Sequence, residues 1–264
     1  MNKGAMKYRL KTFYQYRSLL KQLVTRDIKL KYRRSFLGYV WSVLNPLLVM
    51  LVMTLVFSAM FKRNIENYPV YLLLGRMTFD FLNTSTNQAM KSVTGNAALL
   101  KKTYIPKYIF TLSKTTSAMV DYALSFGALI IVMLVTRAPF HLTMLLIPVV
   151  ILKLYIFCIG LGFLLANLNV FFRDIAYIYK AITTMWMYLT PIFYPIENLP
   201  NGLALMIKVG NPLYYYVTSF RTLCMQGTLP SLRIIVGGWI FALVMLVIGV
   251  SVFQKHKDNF ILYI

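Results

Sequence analysis

Long apolar runs alternate with short polar segments along most of the chain. A helix needs about 20 apolar residues to cross the hydrocarbon of a bilayer, and six runs of 20 to 28 residues reach that length. We predict membrane spans at 37–61, 70–89, 108–135, 142–168, 175–194 and 234–253. The pattern therefore predicts an all-α integral membrane protein with six transmembrane helices, in a single domain that covers residues 1–264.

The segment before the first span has a different pattern. Residues 8–34 place apolar side chains such as Leu20 and Ile28 at close to helical spacing with cations between them, which predicts an amphipathic helix in the membrane interface. Its charged positions include Arg26, Asp27, Lys29, Lys31, Arg33 and Arg34. A basic flank that only sets the topology is the alternative. Residues 26–47 pass without a linker from cations to apolar residues, so this junction marks where the membrane begins.

Two connecting segments are distinctive. Residues 90–107 form a loop with four lysines and no acid. Residues 195–232 contain too many Pro, Gly and Asn for a full span, yet they are apolar enough for short segments that dip part way into the bilayer.

The second span has a polar middle. Arg76 and Asp80 are four residues apart and can pair on one helix face, and residues 83–88 form a run of hydroxyl and amide side chains. Polar groups inside a span usually face away from lipid. They serve either the packing between helices or the lining of a hydrated path, and the pattern alone leaves both interpretations open.

Composition supports the membrane assignment. Only 13% of the residues are charged and 59% are hydrophobic, whereas about 25% are charged in a typical soluble domain. The net charge of +21 does not indicate nucleic-acid binding, because it accompanies several bilayer-length apolar runs. We expect it to meet anionic lipid and acidic partners instead.

The distribution of the cations predicts the orientation. With both termini on one side of the membrane, that side holds 20 of the 28 Lys and Arg residues and the other side holds 7. By the positive-inside rule, both termini are then cytoplasmic. We expect this multi-pass chain to lie in the inner membrane. The first 36 residues lack the continuous apolar core of a cleavable signal peptide.

The sequence shows no catalytic constellation, and we predict that the chain is not an enzyme. His141 and His256 fall on opposite predicted sides, and Cys158 and Cys224 lie in apolar surroundings at a spacing that suits neither a disulfide framework nor a metal site. Residues 95–103 (GNAALLKKT) lack the second glycine of a phosphate-binding loop. We expect no metal and no cofactor on this chain, so the energy for any active transport comes from another chain or from an ion gradient.

Two groups of residues are candidates for binding. Residues 99–110 combine exposed apolar positions with lysines and Pro106, which suits a short helix in a groove of a partner, with Tyr104 and Ile105 as anchors. A loop on the lipid surface is the alternative. The second group consists of aromatic side chains in the first and fifth spans, which either stack on sugar rings or belong to the interfacial belt. They are Tyr39, Trp41, Phe57, Trp186, Tyr188, Phe193 and Tyr194.

Five segments together resemble one family, the membrane subunits of ABC-2 type exporters for O-antigen, capsular polysaccharide and teichoic acid. In the order and spacing of that family they are 26–47, 99–114, 169–180, 189–200 and 211–221. The resemblance implies a permease homodimer that translocates a lipid-linked polysaccharide, with two copies of a cytoplasmic ATP-binding subunit that holds ATP and Mg.

The resemblance also assigns roles by position. Residues 99–110 resemble the family's coupling segment, which overlaps the cytoplasmic coupling loop at 90–107. The resemblance places the ATPase-contacting residues at Leu99, Leu100, Lys101, Lys102, Tyr104, Ile105, Pro106 and Lys107. Residues 12–34 resemble an interfacial helix that also touches the ATPase, and 197–225 resemble an extracytoplasmic re-entrant helical hairpin. In this family the first and fifth spans line the channel, so the aromatic side chains become candidates for the glycan path.

This chain departs from the family in its second span, where GRMTFDFL places Arg76 and Asp80 at apolar or neutral positions. Arg76 can contact a lipid phosphate or an anionic glycan, or it can simply pair with Asp80. An ion-coupled transporter or lipid flippase that needs no ATP is the main alternative function, and it would be expected to carry paired acids within its spans. An integral membrane glycosyltransferase would need clustered catalytic groups.

Overall fold

The computed structural model describes residues 14–33, 37–61 and 65–263, and all regular secondary structure within these ranges is helical. The helices are α1 (Arg17–Tyr32), α2 (Trp41–Phe61), α3 (Tyr68–Met90), α4 (Ala97–Lys102), α5 (Tyr108–Val135), α6 (Ile147–Phe171), α7 (Ile175–Leu189), α8 (Asn201–Gly210), α9 (Pro212–Arg221), α10 (Leu232–His256) and α11 (Phe260–Tyr263). The all-α class predicted from the sequence is confirmed. Residues 8–13 and Arg34 of the predicted interfacial helix lie outside the described ranges.

Within the described residues, four helical segments are long and apolar enough to cross a membrane: Gly38–Phe57, Tyr108–Val135, Leu142–Phe171 and Leu232–Tyr263. They coincide with the predicted first, third, fourth and sixth spans. Pro46 lies inside the first of them, and the helix continues on both sides of it.

The predicted second and fifth spans correspond to α3 and α7, which differ from the other four. α3 has 23 residues, so its length is sufficient, but its polar middle lowers its hydropathy. α7 has 15 residues and extends for roughly 22 Å. The helix ends at Leu189, five residues before the predicted end of the fifth span at residue 194, because Pro191 disfavours helical geometry at the preceding residue and offers no N–H.

The segment after α7 forms a pair of short helices, α8 and α9, with 10 residues each. Asn211 joins them, and its side-chain oxygen accepts a hydrogen bond from the Leu213 N–H at 3.0 Å, which caps α9. Each helix extends for roughly 15 Å. Neither is long enough to cross a bilayer alone.

The central core lies among α3, α5, α6 and α9. Leu82, Leu129, Leu154 and Tyr216 are among its fully buried side chains. α2 packs on the outside of this core, and none of its most apolar stretch is buried. One side of α2, with Leu48, Val52 and Leu55 at 48–72% exposed, is therefore uncovered by the residues that the structure describes.

Helices α6 and α10 approach closely at a pair of glycines. A Cβ atom added at Gly249 would overlap the carbonyl oxygen of Gly160, and a Cβ atom at Gly160 would overlap the backbone of Met245. Small residues at such a crossing allow two helix backbones to come into contact. The backbones of the predicted fourth and sixth spans are therefore in direct contact at this crossing.

A second cluster of buried residues joins α1, α4 and α11 to the adjoining ends of α5, α6 and α10. We call it the basic-end cluster. It consists of Leu23, Val93, Leu100, Ile109, Phe110, Phe163, Ala166, Val170, Phe253 and Phe260. The end of the bundle that carries α1, α4 and α11 is called the basic end, and the end that carries residues 65–67, 136–141 and 191–197 is called the opposite end.

Candidate functional site

The predicted coupling segment forms the short helix α4 and the extended turn that follows it. Leu100 is 4% exposed and packs in the basic-end cluster, while Leu99, Lys101 and Lys102 point outward. The two predicted anchors that follow, Tyr104 and Ile105, also point to different sides, as successive side chains of extended backbone do. Tyr104 is fully exposed, whereas Ile105 packs against the basic-end cluster.

The two predicted anchors therefore have different surroundings. Tyr104 is free to contact a partner, and its carbonyl accepts a long hydrogen bond of 3.5 Å from the Tyr16 hydroxyl. Ile105 is partly covered by its own chain. The surface offered at this position consists of Leu99, Tyr104 and the two exposed lysines.

The C-terminal residues hold the coupling segment in place, a feature that the sequence analysis missed. The Lys107 ammonium donates to the carbonyl of Lys257 and lies 5.6 Å from the centre of the Phe260 ring. Burial lowers the pKa of Lys107, and nearby Asp258 opposes that shift. Phe260 is 0% exposed and packs in the same cluster as Leu100. The available signal was the apolar quartet at 260–263 after the basic tail.

Helix α1 is fastened to α5 by two charged contacts. Lys114 Nζ lies 2.8 Å from Asp27 Oδ2 and forms an ion pair with it, and Asp121 accepts from Lys31 at 2.6 Å and from the Tyr32 hydroxyl at 2.8 Å. Burial and the Asp121 carboxylate raise the pKa of Tyr32, so its hydroxyl remains a neutral donor. The acid that the sequence places alone in the third span thus has two partners on α1.

The other side of α1 remains open. Lys21, Arg26, Lys29 and Arg33 line a shallow groove on this face. Arg26 also lies 3.2 Å from Asp27, its sequence neighbour. The helix is amphipathic, as predicted, with Leu23 and Tyr32 on its buried side.

The seven aromatic side chains proposed for the glycan path do not share one environment. Tyr39, Trp41 and Tyr188 are 52%, 42% and 61% exposed, respectively, and are open to a passing ligand. Phe193 is buried and stacks on Phe57 with 5.5 Å between the ring centres.

The remaining two path candidates are held by hydrogen bonds within the chain. The indole N–H of Trp186 donates to the Asn211 side-chain oxygen at 2.8 Å, and Asn211 in turn donates to Thr190. The Tyr194 hydroxyl donates to the carbonyl of Tyr188. Trp186 therefore ties α7 to the start of α9, a structural role that its position in the sequence did not reveal.

The polar run of α3 divides between two faces. Ser85 and Thr86 are fully buried, and the Thr86 hydroxyl is 2.7 Å from the hydroxyl of Tyr179 on α7. The remaining members of the run are partly or fully exposed, as is Asp80 one turn earlier on the same side. We call these residues the polar face of α3. They are Asp80, Asn83, Thr84, Asn87 and Gln88. Helix packing explains the first group and leaves the second group open to water or a ligand.

Arg76 lies at the end of this polar face. Its Nε donates to Asp80 at 2.9 Å, and its Nη1 donates to the sulfur of Met187 on α7 at 3.3 Å. The pairing with Asp80 expected from the four-residue spacing is present. The Asp80 side chain keeps 41% of its surface exposed, so the pair remains accessible from outside the chain.

Comparison with known proteins gives full-length similarities. The profile of the ABC-2 type transporter family matches residues 18–225. The chain is 30% identical over 254 residues to the O-antigen export system permease protein RfbA of Myxococcus xanthus, covering 95% of this chain and 97% of that protein. It is 29% identical over 256 residues to the RfbA protein of Klebsiella pneumoniae, covering 97% of each. It is 21% identical over 242 residues to the polysialic acid transport protein KpsM of Escherichia coli, covering 89% and 92%.

Proposed function

Because the chain belongs to the ABC-2 type transporter family, we propose that it is the membrane-spanning permease subunit of an ATP-driven exporter of a lipid-linked cell-surface polysaccharide. The resemblance drawn from the five sequence segments is thereby confirmed at the level of the family. The observation that carries the function is the similarity to O-antigen export permeases along nearly the whole length of both chains.

The proposed topology has six spans in the inner membrane, with both termini in the cytoplasm. Four are the long apolar helices, and α3 and α7 are the second and fifth. α8 and α9 form the re-entrant hairpin at the extracytoplasmic side. This arrangement places the basic end in the cytoplasm, in agreement with the positive-inside rule.

The proposed assembly is a homodimer with two copies of a separate cytoplasmic subunit that binds ATP and Mg. The uncovered side of α2 supports the dimer, since a second copy would bury it. Lys101 and Lys102, beside the fully exposed Tyr104, support a protein partner at the basic end. Exposed aromatic anchors beside cations are typical of interface hot spots.

Coupling would begin at this surface. A push on α4 is transmitted by Leu100 to the basic-end cluster, which also contains Phe110 of α5 and Phe253 of α10. Because packed clusters move as units, α5, α10 and the attached α1 would shift together. That movement would separate the first and fifth spans and admit the glycan.

The proposed path runs along α2, α7 and the polar face of α3. Amide and carboxylate groups are costly where a span meets lipid, so spans turn such groups toward protein or water. Within the described residues, Thr84 is exposed and Asn87 is half-buried, which supports hydrated surroundings for this face. Tyr39, Trp41 and Tyr188 would supply flat apolar faces for sugar rings.

Arg76 is proposed to contact the phosphate of the lipid carrier while remaining paired with Asp80. The accessible position of the pair supports this role. An Arg76→Ala variant should lower export. An Asp80→Asn variant should preserve export, because it leaves the guanidinium of Arg76 in place. Unchanged export by Arg76→Ala would remove Arg76 from the substrate contacts.

The ion-coupled alternative draws less support from the described residues. The acids within the long helices, Asp80 and Asp121, are each paired with a cation. A proton or sodium site in such a transporter needs a carboxylate that is free to exchange its ion. These two carboxylates serve as structural partners instead.

Co-purification tests the proposal. The tagged chain should retain the ATP-binding subunit encoded beside it, and Tyr104→Ala should weaken that retention at least tenfold. Phe140→Ala is the matched control, because Phe140 is also an exposed aromatic residue but lies at the opposite end. Failure to retain any neighbouring ATPase would count against an ATP-driven exporter.

A further inference from the structure

A cavity of about 810 Å³ opens at the opposite end of the bundle, between the turn that precedes α3, the turn that follows α5, the chain after α7 and the end of α9. Cavities that hold small ligands usually measure about 300–1,000 Å³. This one is large enough for one or two sugar rings. It lies away from the basic end and from the polar face of α3.

The walls are fixed by hydrogen bonds between separate elements. The guanidinium of Arg221 donates to the carbonyls of Tyr71, Pro191 and Ile192 at 2.6 to 3.3 Å, and it lies 3.3 Å from the centre of the Tyr71 ring. Asn67 donates to the Thr136 hydroxyl at 3.0 Å. These bonds tie α3, α9 and both turns together, so the cavity is formed in advance of any ligand.

The backbone at the rim is unusual. Asn67 and Arg137 both adopt positive φ angles, +53° and +54°, and they are the non-glycine residues with this geometry in the described part of the chain. Both line the cavity. Unfavourable backbone geometry tends to be kept at functional sites, where the surrounding structure maintains it.

The lining has the chemistry of a saccharide site. Glu66 and Glu197 are exposed, line the cavity and form no ion pair with any residue in the described ranges. Their carboxylates can each accept hydrogen bonds from adjacent sugar hydroxyls. The rings of Tyr71 and Tyr214 add aromatic surface.

Among the described residues that line the cavity, the charged side chains are Glu66, Glu197, Arg137 and Arg221. Because Arg221 donates to backbone carbonyls, Arg137 is the described cation that remains for an anionic ligand, and the two carboxylates would repel such a ligand. We propose that this cavity binds a neutral, hydroxyl-rich sugar unit of the exported glycan. Residues 191–197 contribute to both places, since Pro191 and Glu197 line the cavity and Tyr194 belongs to the predicted path. The carbonyl of the path residue Tyr194 accepts from the hydroxyl of Tyr71, on the cavity side, at 2.8 Å.

The inference rests on the proposed function, since the cavity receives the glycan as it leaves the path. It is tested with the transporter and its ATPase in nanodiscs, by saturation-transfer NMR with maltotriose and tri-N-acetylchitotriose as neutral probes and a sialic acid trimer as the anionic probe. At least one neutral trimer should bind, and the sialic acid trimer should bind at least fivefold more weakly than that trimer.

Two variants locate the binding. Glu66→Gln with Glu197→Gln should raise the Kd of the neutral trimer at least fivefold, and Thr218→Trp should abolish binding by filling the cavity. Asp258→Asn makes the same acid-to-amide change at the basic end and should leave the Kd unchanged. Melting temperatures of all variants within a few degrees of the wild type show that the fold is intact.

Three results would overturn the site: no binding of either neutral trimer, preference for the sialic acid trimer, or unchanged binding in both cavity variants. If any of these occurred while the same transporter and ATPase, placed in sealed proteoliposomes, retained ATP-dependent export, the cavity would be rejected and the proposed function would stand. Loss of ATP-dependent export in the wild-type complex would instead reject the proposed function.

Discussion

Lys31 Nζ lies 2.6 Å from Asp121 Oδ2, across 90 residues of sequence. One residue belongs to α1 and the other to the middle of α5. The contact means that α1 cannot slide along the bundle without breaking an ion pair and the Tyr32 hydrogen bond to the same carboxylate. The junction at 26–47 is therefore attached laterally to the third span, and it also continues into the first.

We expect Asp121→Asn to loosen α1. Lys31 is about half-exposed, so the pair itself should contribute only about 0.5–1 kcal/mol. A double-mutant cycle of Lys31→Met and Asp121→Asn, measured by thermal unfolding in detergent, should give that coupling energy, and the single variants should also slow export. Strict additivity of the two changes would show that the pair contributes nothing.

Phe260→Ala should uncouple the coupling segment from α10. Removing a fully buried phenylalanine costs about 3–5 kcal/mol in a well-packed core, and Leu100 and Phe253 would lose a neighbour in the basic-end cluster. Stimulation of the partner's ATPase should fall, along with the melting temperature. Leu262→Ala is the control, because Leu262 is 80% exposed and its truncation should cost less than about 0.5 kcal/mol. Equal effects of the two variants would contradict the role of Phe260.

Gly249→Ala should disrupt the crossing of α6 and α10. The added methyl group would overlap the Gly160 backbone, and overpacking of this kind costs about 1–3 kcal/mol or more. Gly202→Ala on α8 is the matched control, because a Cβ atom there has nothing within 4 Å. This substitution should stabilise its helix by about 0.5–1 kcal/mol. The yield and the melting temperature of the purified Gly249→Ala variant should be lower than those of Gly202→Ala. Equal values for the two variants would argue against the close approach of α6 and α10.

Thr84→Cys should react with a membrane-impermeant thiol reagent in the assembled transporter, because the polar face of α3 is expected to meet water. The native Cys158 and Cys224 are 0% and 1% exposed, so the background is low. Ser85→Cys should not react, since Ser85 is fully buried. Leu243→Cys, on an exposed apolar part of α10, should also stay unlabelled because a thiol in lipid does not ionise. Labelling at position 243 but not at 84 would contradict a hydrated path.

The sequence predicts the long apolar helices well and the details of their ends poorly. The third span, predicted over 108–135, is a helix over the same residues, because a continuous apolar run fixes length without reference to neighbours. The fifth helix ends early at Leu189, because Pro191 outweighs the apolar pattern that continues past it. Local chemistry decides such boundaries.

The orientation of side chains at the candidate sites could not be predicted in the same way. Tyr104 and Ile105 are adjacent in the sequence and both are predicted anchors, but only Tyr104 faces outward. Phe193 is an aromatic residue of the predicted path, yet it is buried against Phe57. The pairing of Asp121 with α1 and the burial of Phe260 depend on contacts between distant segments, which no periodicity within one segment reveals.

The most direct test of the central claim is ATP-dependent transfer of a lipid-linked polysaccharide in proteoliposomes that contain this chain and the ATP-binding subunit encoded beside it. We expect transfer only when both subunits, ATP and Mg are present, with strong loss of transfer in the Tyr104→Ala variant. Transfer by this chain alone, driven by a proton or sodium gradient without ATP, would contradict the assignment.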